Sequence, residues 1–209
     1  EQEVLAQSGQ GHGGAGGFQE GFGSGFSDIF EVGVYLFTAQ PTSGGFQYVG
    51  AHIRPRIRAP ESWKLPVGLS LSTELGPTDG KFDVNTFGME LRPIIDQEIG
   101  NFYWAFNPTI GWALEGADAG RGIHGMTFNP NVKLSWKLHE KYAAGVEYYG
   151  TTGSLTRLAP FAEQQHILYP TVDFFLAPEW ELNVGYGVNI AGHGDQNILK
   201  VIVGRRFGF

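Results

Sequence analysis

Cysteine is absent from all 209 residues, which rules out a disulfide scaffold and a thiolate metal site. Charge is scarce: Asp, Glu, Lys and Arg together make up 17%, against about a quarter in an ordinary soluble chain. Positive charge is scarcer still. The formal net charge of −7 argues against a nucleic-acid partner, because such binders carry basic surfaces. No apolar run approaches the roughly 18 residues that a membrane-crossing helix needs, so a helical membrane protein is excluded. The chain opens at Glu1 without Met or a secretory leader, which reads as a processed or truncated start. What is plentiful is glycine, at 32 residues, and aromatics, at 14%, while the hydrophobic share of 42% is ordinary. The length suits one domain.

From Ile29 onward apolar and polar residues alternate. In WELNVGYGVNI, Trp180, Leu182, Val184, Tyr186, Val188 and Ile190 share one face, and Glu181, Asn183, Gly185, Gly187 and Asn189 share the other. A strand turns successive side chains to opposite faces, so the segment has one apolar side and one polar side. The stretches 102–115, 128–138, 49–58 and 65–75 behave alike, and 30–39, 87–94, 144–149, 168–176 and 201–209 follow less cleanly. About ten strands result, each roughly 9–14 residues long. That length crosses a bilayer at a tilt near 45° and exceeds the roughly 5–6 residues of a typical globular strand.

The same alternation could describe a soluble barrel with its apolar face inside. Two features favour the reverse. Glu31, Arg54, Arg56, Glu90, Arg92, Lys133, Glu147, Asp173 and Glu181 crowd the polar faces, while the apolar faces carry almost no charge. The aromatics gather near strand ends. Phe30, Trp63, Phe102, Trp104, Trp136, Tyr142 and Trp180 lie beside short connections, and Phe37, Phe46, Trp112 and Phe128 lie towards the opposite ends. Two aromatic girdles around an apolar band mark an outer-membrane barrel. The last strand, KVIVGRRFGF, adds Phe207 and Phe209 to its outer face. Such a terminal aromatic strand resembles the signal read by the outer-membrane assembly machinery.

Short connections near Asp28, Glu61, Gln97, Glu140 and Glu179 alternate with longer ones at 41–45, 76–81, 115–123 and 153–164. That is the pattern of periplasmic turns and outer loops, and it places the C-terminus in the periplasm. Residues 1–28 read either as one further hairpin around GQGHGGAGG, giving about twelve strands, or as a glycine-rich leader, giving ten. The expected fold is an all-β, transmembrane, antiparallel up-and-down barrel over residues 1–209.

GFSDIFEVGVYL, LPVGLSLSTELG and APEWELNVGYGV followed by KVIVGRRF resemble a family of outer-membrane β-barrel channels linked to the meta-pathway of phenol degradation. Gly25, Ser27 and Asp28 occupy the family's Gly-x-Thr/Ser-Asp turn, and the resemblance covers most of the chain. It implies about twelve strands and the transport of small molecules, hydrophobic ones among them.

Candidate functional residues follow from the faces. His52, Arg54, Arg56 and Arg58 share the inward side of one strand, where like charges about 7 Å apart need partners or water. They read either as a basic ladder selecting anions or as part of a structural network with Glu31, Glu74, Glu90 and Glu181. Pro55, Pro93, Pro108, Pro130 and Pro170 sit inside predicted strands, and each removes a ladder donor. Ordinary bulges that shape the wall are the expectation, with a weak seam offering lateral exit to hydrophobic cargo as the sharper alternative. Catalysis finds little support, because His52, His124, His139 and His166 have no serine at a convincing same-face spacing. His193 and Asp195 in GHGDQ are too few for a metal site. The expected protein is therefore no enzyme and needs neither cofactor nor metal. It is a channel in the outer membrane of a Gram-negative bacterium that meets lipid, lipopolysaccharide, assembly machinery and small-molecule cargo. The alternative is a non-conducting barrel plugged by its own charges.

Overall fold

The computed structural model describes residues 16–27, 29–40, 47–177, 180–191 and 197–208, with backbone alone at 16–27, 38–40, 176–177, 181 and 204–208. Eleven long strands build the wall: β1 (Gly16–Ser27), β2 (Phe30–Gln40), β3 (Gln47–Arg58), β4 (Gly68–Pro77), β5 (Phe87–Ile99), β6 (Phe102–Glu115), β7 (Thr127–His139), β8 (Tyr142–Thr151), β11 (Gln165–Ala177), β12 (Trp180–Asn189) and β13 (Asn197–Gly208). Two short strands, β9 (Gly153–Ser154) and β10 (Arg157–Leu158), form a hairpin above β7. Each long strand pairs with its sequence neighbour, and β8 pairs with β11. The ring then closes between β1 and β13, so the fold is an up-and-down β-barrel.

Eleven falls between the ten and twelve strands that the two readings of the N-terminal segment imply. The segment supplies one strand, and residues 1–15 lie outside the described residues. An odd up-and-down barrel must join its first and last strands in the same direction. Accordingly β1 and β13 run parallel, while every other wall pair is antiparallel. The connections expected to be short share one rim with the end of β13, and the others share the opposite rim; the one near Glu61 is not short, because nine residues separate Arg58 of β3 from Gly68 of β4.

Two boundaries differ from expectation. The strand expected from Leu65 begins at Gly68, because Lys64 takes a left-handed conformation (φ 48°) after the turn Glu61–Trp63 and Pro66 offers no donor. The turn expected near Gln97 falls at Gly100, whose φ of 62° suits a residue without Cβ.

The prolines correct the expectation of bulges. Register shifts occur at Gly25/Ser27, Phe37/Thr38, Phe87/Gly88, Lys137/His139 and Phe175/Ala177, never at a proline. Register is the same on both sides of Pro55, Pro93, Pro108 and Pro170, and Pro130 sits in ladder opposite Pro108. A bulge inserts a residue. Proline here keeps its place in the pleat and deletes only a hydrogen bond.

Burial is inverted relative to a soluble protein. Leu134, Trp136, Val146, Val188 and Leu199 are exposed on the outer wall, whereas Arg54, Arg92, Lys133, Glu147, Asn107, Thr109 and Asn131 are buried inside. Among the described residues the buried apolar side chains are few: a small cluster of Ala105, Tyr149, Ile167, Tyr169 and Ile198, with Ile94, Ala143, Ala191 and Ile202 buried outside it. Of the predicted girdle residues, Trp63 is exposed at the short-turn rim, and Trp136 and Trp180 face outward there, Trp136 with its ring centroid 5.7 Å from that of Phe102. Phe30 and Trp104 are half-buried near that rim, and Trp112 is half-buried towards the other. Phe207 is described by backbone alone, and Phe209 lies outside the described residues.

Candidate functional site: a lumen filled by two ion-pair networks

Strand register sets the first network. Continuing the β3–β4 register places Arg54 opposite Glu74, and Glu74 stands directly across from Glu90 on β5. Two adjacent carboxylates in a low-dielectric interior repel unless cations sit between them. Arg54 Nε donates to Glu74 Oε2 at 2.8 Å, and Arg92 Nη2 donates to Glu90 Oε2 at 2.6 Å and to Glu74 Oε2 at 3.4 Å. His52 Nδ1 lies 2.7 Å from Glu74 Oε1. The Arg54 guanidinium covers the Tyr35 ring at 4.0 Å. Towards the short-turn rim Arg56 Nη2 donates to Glu31 Oε2 at 3.1 Å. Arg58 continues this row half-buried. Arg54, Arg56 and Arg92 thus balance Glu31, Glu74 and Glu90.

The second network fills the opposite side. Lys133 on β7 reaches Asp173 Oδ1 at 2.9 Å and Glu147 Oε1 at 3.1 Å. Lys200 on β13 donates to Glu147 and, at 3.0 Å, to the Tyr149 hydroxyl, which itself donates to Glu147 Oε2 at 2.7 Å. Asn183 Nδ2 bridges Glu147 Oε1 at 3.1 Å and Asp173 Oδ1 at 2.6 Å. Two ammonium groups therefore meet two carboxylates. Tyr149 and Tyr169 pack edge to face and form the apolar side of the cluster.

Both groups are internally neutral, which offsets the several kcal/mol that desolvating each ion costs. Arg92, Asn107, Thr109 and Glu147 are 1% exposed or less, so water does not reach these side chains at mid-height. Of the charged residues expected on the inner face, Arg54, Arg56, Glu74, Glu90, Arg92, Lys133, Glu147 and Asp173 are buried inside, and His52 and Glu31 join them half-buried. The side chain of Glu181 lies outside the described residues. Lys200, Tyr149 and Tyr35 escaped the sequence reading, and Asn183 was placed on the polar face without a role. The parity of β13, with Ile198, Lys200 and Ile202 facing away from Val201 and Val203, could have found Lys200.

Below the second network a cavity of about 500 Å³ opens at the short-turn rim. Asp96, Tyr103, Ser135, Ala143 and Phe175 line its inner part, and the 59–67 turn forms its lip. This volume lies within the range of small-molecule pockets.

At the long-loop rim the Tyr148 hydroxyl lies 2.6 Å from His166 Nδ1, and His166 Nε2 lies 2.9 Å from Gln164 Oε1. Phe161 stacks on the imidazole. Nearby, His124 Nδ1 is 3.1 Å from Thr156 Oγ1, which is 3.2 Å from Ser154 Oγ. The fold thus brings hydroxyls to His124 that sequence spacing did not indicate. No carboxylate among the described contacts orients that imidazole. No group of three or more His, Asp or Glu able to hold a metal occurs among the described residues, and His193 and Asp195 lie outside them. No protein-family profile, curated protein or solved structure matches this chain.

Proposed function

We propose that this chain spans the outer membrane of a Gram-negative bacterium and acts as a gated channel for small molecules, closed in the conformation described. The inverted wall supports the location: apolar side chains outside, charges inside, and every long strand paired on both sides. A closed barrel is one of the two structures that satisfy their backbone within lipid. The outward residues of β7 from Phe128 to Trp136 cover roughly 26 Å along the strand, or about 20 Å of height at a tilt near 40°. That approaches the apolar band of about 25 Å in such barrels. Membrane lipid and lipopolysaccharide would then be its surroundings, and the outer-membrane assembly machinery its route there.

The observation that carries the gate is that polar groups, able to exchange partners, fill the lumen. Arg92 already divides its donors between Glu90 and Glu74, and Lys133 lies between Glu147 and Asp173. The near-zero exposure of these groups favours a second reading, a permanently closed structural barrel. Single-channel recording in a planar bilayer separates the two. A gated channel gives rare steps in the wild type and frequent ones after Glu74→Gln with Glu147→Gln. Silence in both proteins would leave only the structural barrel.

A further inference from the structure

We infer that the seam between β5 and β6 is a lateral portal through which an uncharged, apolar small molecule moves between the short-turn cavity and the bilayer core. The inference rests on the membrane location proposed above.

Pro93 and Pro108 stand opposite each other, in a register fixed by Leu91↔Ile110 on one side and Ile95↔Phe106 on the other. Between those pairs three successive positions form no bridge. On the outer sides of the same two strands the ladders are intact: Leu71 pairs with Pro93 and Pro108 pairs with Pro130. A bridge centred on a proline must be carried by the flanking residues, because proline has no donor to give. Pro93 and Pro108 therefore direct their missing N–H groups at each other. In an antiparallel pair of that type both hydrogen bonds come from the two facing residues, so one position loses both. Pro55 and Pro170 each face a non-proline across their gaps, Thr73 and Tyr186. Among the described pairs, only the β5–β6 gap has proline on both sides.

Position gives the gap its use. Pro93 is the seventh of 13 residues in β5, and Pro108 the seventh of 14 in β6, so the gap opens at mid-height, facing hydrocarbon. Leu91, Pro93, Ile95, Phe106, Pro108 and Ile110 form its apolar outer frame. On the inside, the inward residue after Asp96 along β5 is Ile94, about 7 Å away. Asp96 lines the cavity, and Ile94 and Asn107 are the buried side chains on the cavity side of the gap, with Arg92 and Thr109 buried on its other side. The axial route passes both ion-pair networks, whereas the sideways route from the cavity meets Ile94 and Asn107 first, beside a backbone without cross-strand bonds. A molecule small enough for the cavity and without charge can use that route; an ion cannot.

The absence of cysteine makes a switchable test simple. Facing residues of this type have Cα atoms about 5.5 Å apart, within the roughly 4.4–6.8 Å that a disulfide spans. The chain carrying Ile95→Cys and Phe106→Cys, the facing pair on the cavity side of the gap, keeps both prolines. It is reconstituted in lipopolysaccharide vesicles, which exclude phenylnaphthylamine, an uncharged dye that fluoresces in lipid; barrels inserted with their short turns outward offer the cavity to added dye. The wild type should speed dye entry. The oxidised double variant should lose that gain, falling to the level of vesicles without the protein, and dithiothreitol should restore it. Equal entry before and after reduction, with the crosslink verified by gel mobility, overturns the portal. Should that variant fail to assemble, hydrogen exchange on the wild type decides. The amides of Ile95 and Phe106, which flank the gap and donate across the β5–β6 seam, should exchange faster than those of Asn107 and Asn131, which donate across the intact β6–β7 ladder, and equal protection overturns the inference. Crosslink-insensitive entry sinks the portal alone. A wild type found outside the outer membrane sinks the location as well.

Discussion

Glu147 is the residue on which the second network turns, and its substitution gives a sharp energetic forecast. It accepts from Lys133, Lys200, Tyr149 and Asn183 and is 1% exposed. Glu147→Gln keeps the shape but leaves two buried ammonium groups facing one carboxylate. Breaking a buried pair from one side costs about 3–5 kcal/mol, roughly a fifth or more of a typical folding stability of about 5–15 kcal/mol. Lys200→Met should cost a similar amount by leaving Glu147 with Lys133 as its remaining cation. In the double variant the network is neutral again, with Lys133 and Asp173 still paired. Its loss should therefore fall short of the sum of the two single losses by about 2 kcal/mol, the coupling expected of residues sharing a network. The assay is reversible urea unfolding from lipid vesicles, followed by tryptophan fluorescence. Additivity of the two substitutions within about 0.5 kcal/mol would show that Lys200 and Glu147 do not act as a unit.

Other consequences are more local. Val146 lies outward near the middle of β8; Val146→Arg should cost about 2–4 kcal/mol in lipid vesicles, and no loss there would contradict a hydrocarbon-facing wall. A Cβ at Gly145 would collide with the Leu134 carbonyl oxygen and Ser135. Gly145→Val should therefore destabilise the barrel by about 1–3 kcal/mol, seen as a lower urea midpoint. Tyr148→Phe removes the partner of His166 Nδ1 and should cost about 1 kcal/mol. It should also hasten protease cleavage within 153–164, and an unchanged cleavage rate would mean that Phe161 stacking holds the loop without it.

Alternation by itself determined a barrel wall and the identity of its two faces. A period of two fixes which residues share a side, and the charges of Arg54, Arg92, Lys133 and Glu147 against the apolar row of Leu134, Trp136 and Val146 needed no partner strand to be sorted. The places of the connections were legible as well, because Gly, Pro and Asp punctuate them, though the one after Arg58 is longer than its sequence suggested. Tertiary structure decided what lies across a strand. That Glu74 faces Arg54 on one side and Glu90 on the other depends on register, which turn geometry sets and no single strand encodes. The same holds for Pro93 opposite Pro108: two prolines 15 positions apart read as separate wall defects until the β5–β6 ladder places both missing donors in one pair. Lys200 reaches Glu147 from 53 positions away, a contact between strands three apart that exists only because the sheet curls around its lumen. Closure also decided the strand number, since the direction in which β1 meets β13 is a property of the ring and of no segment within it.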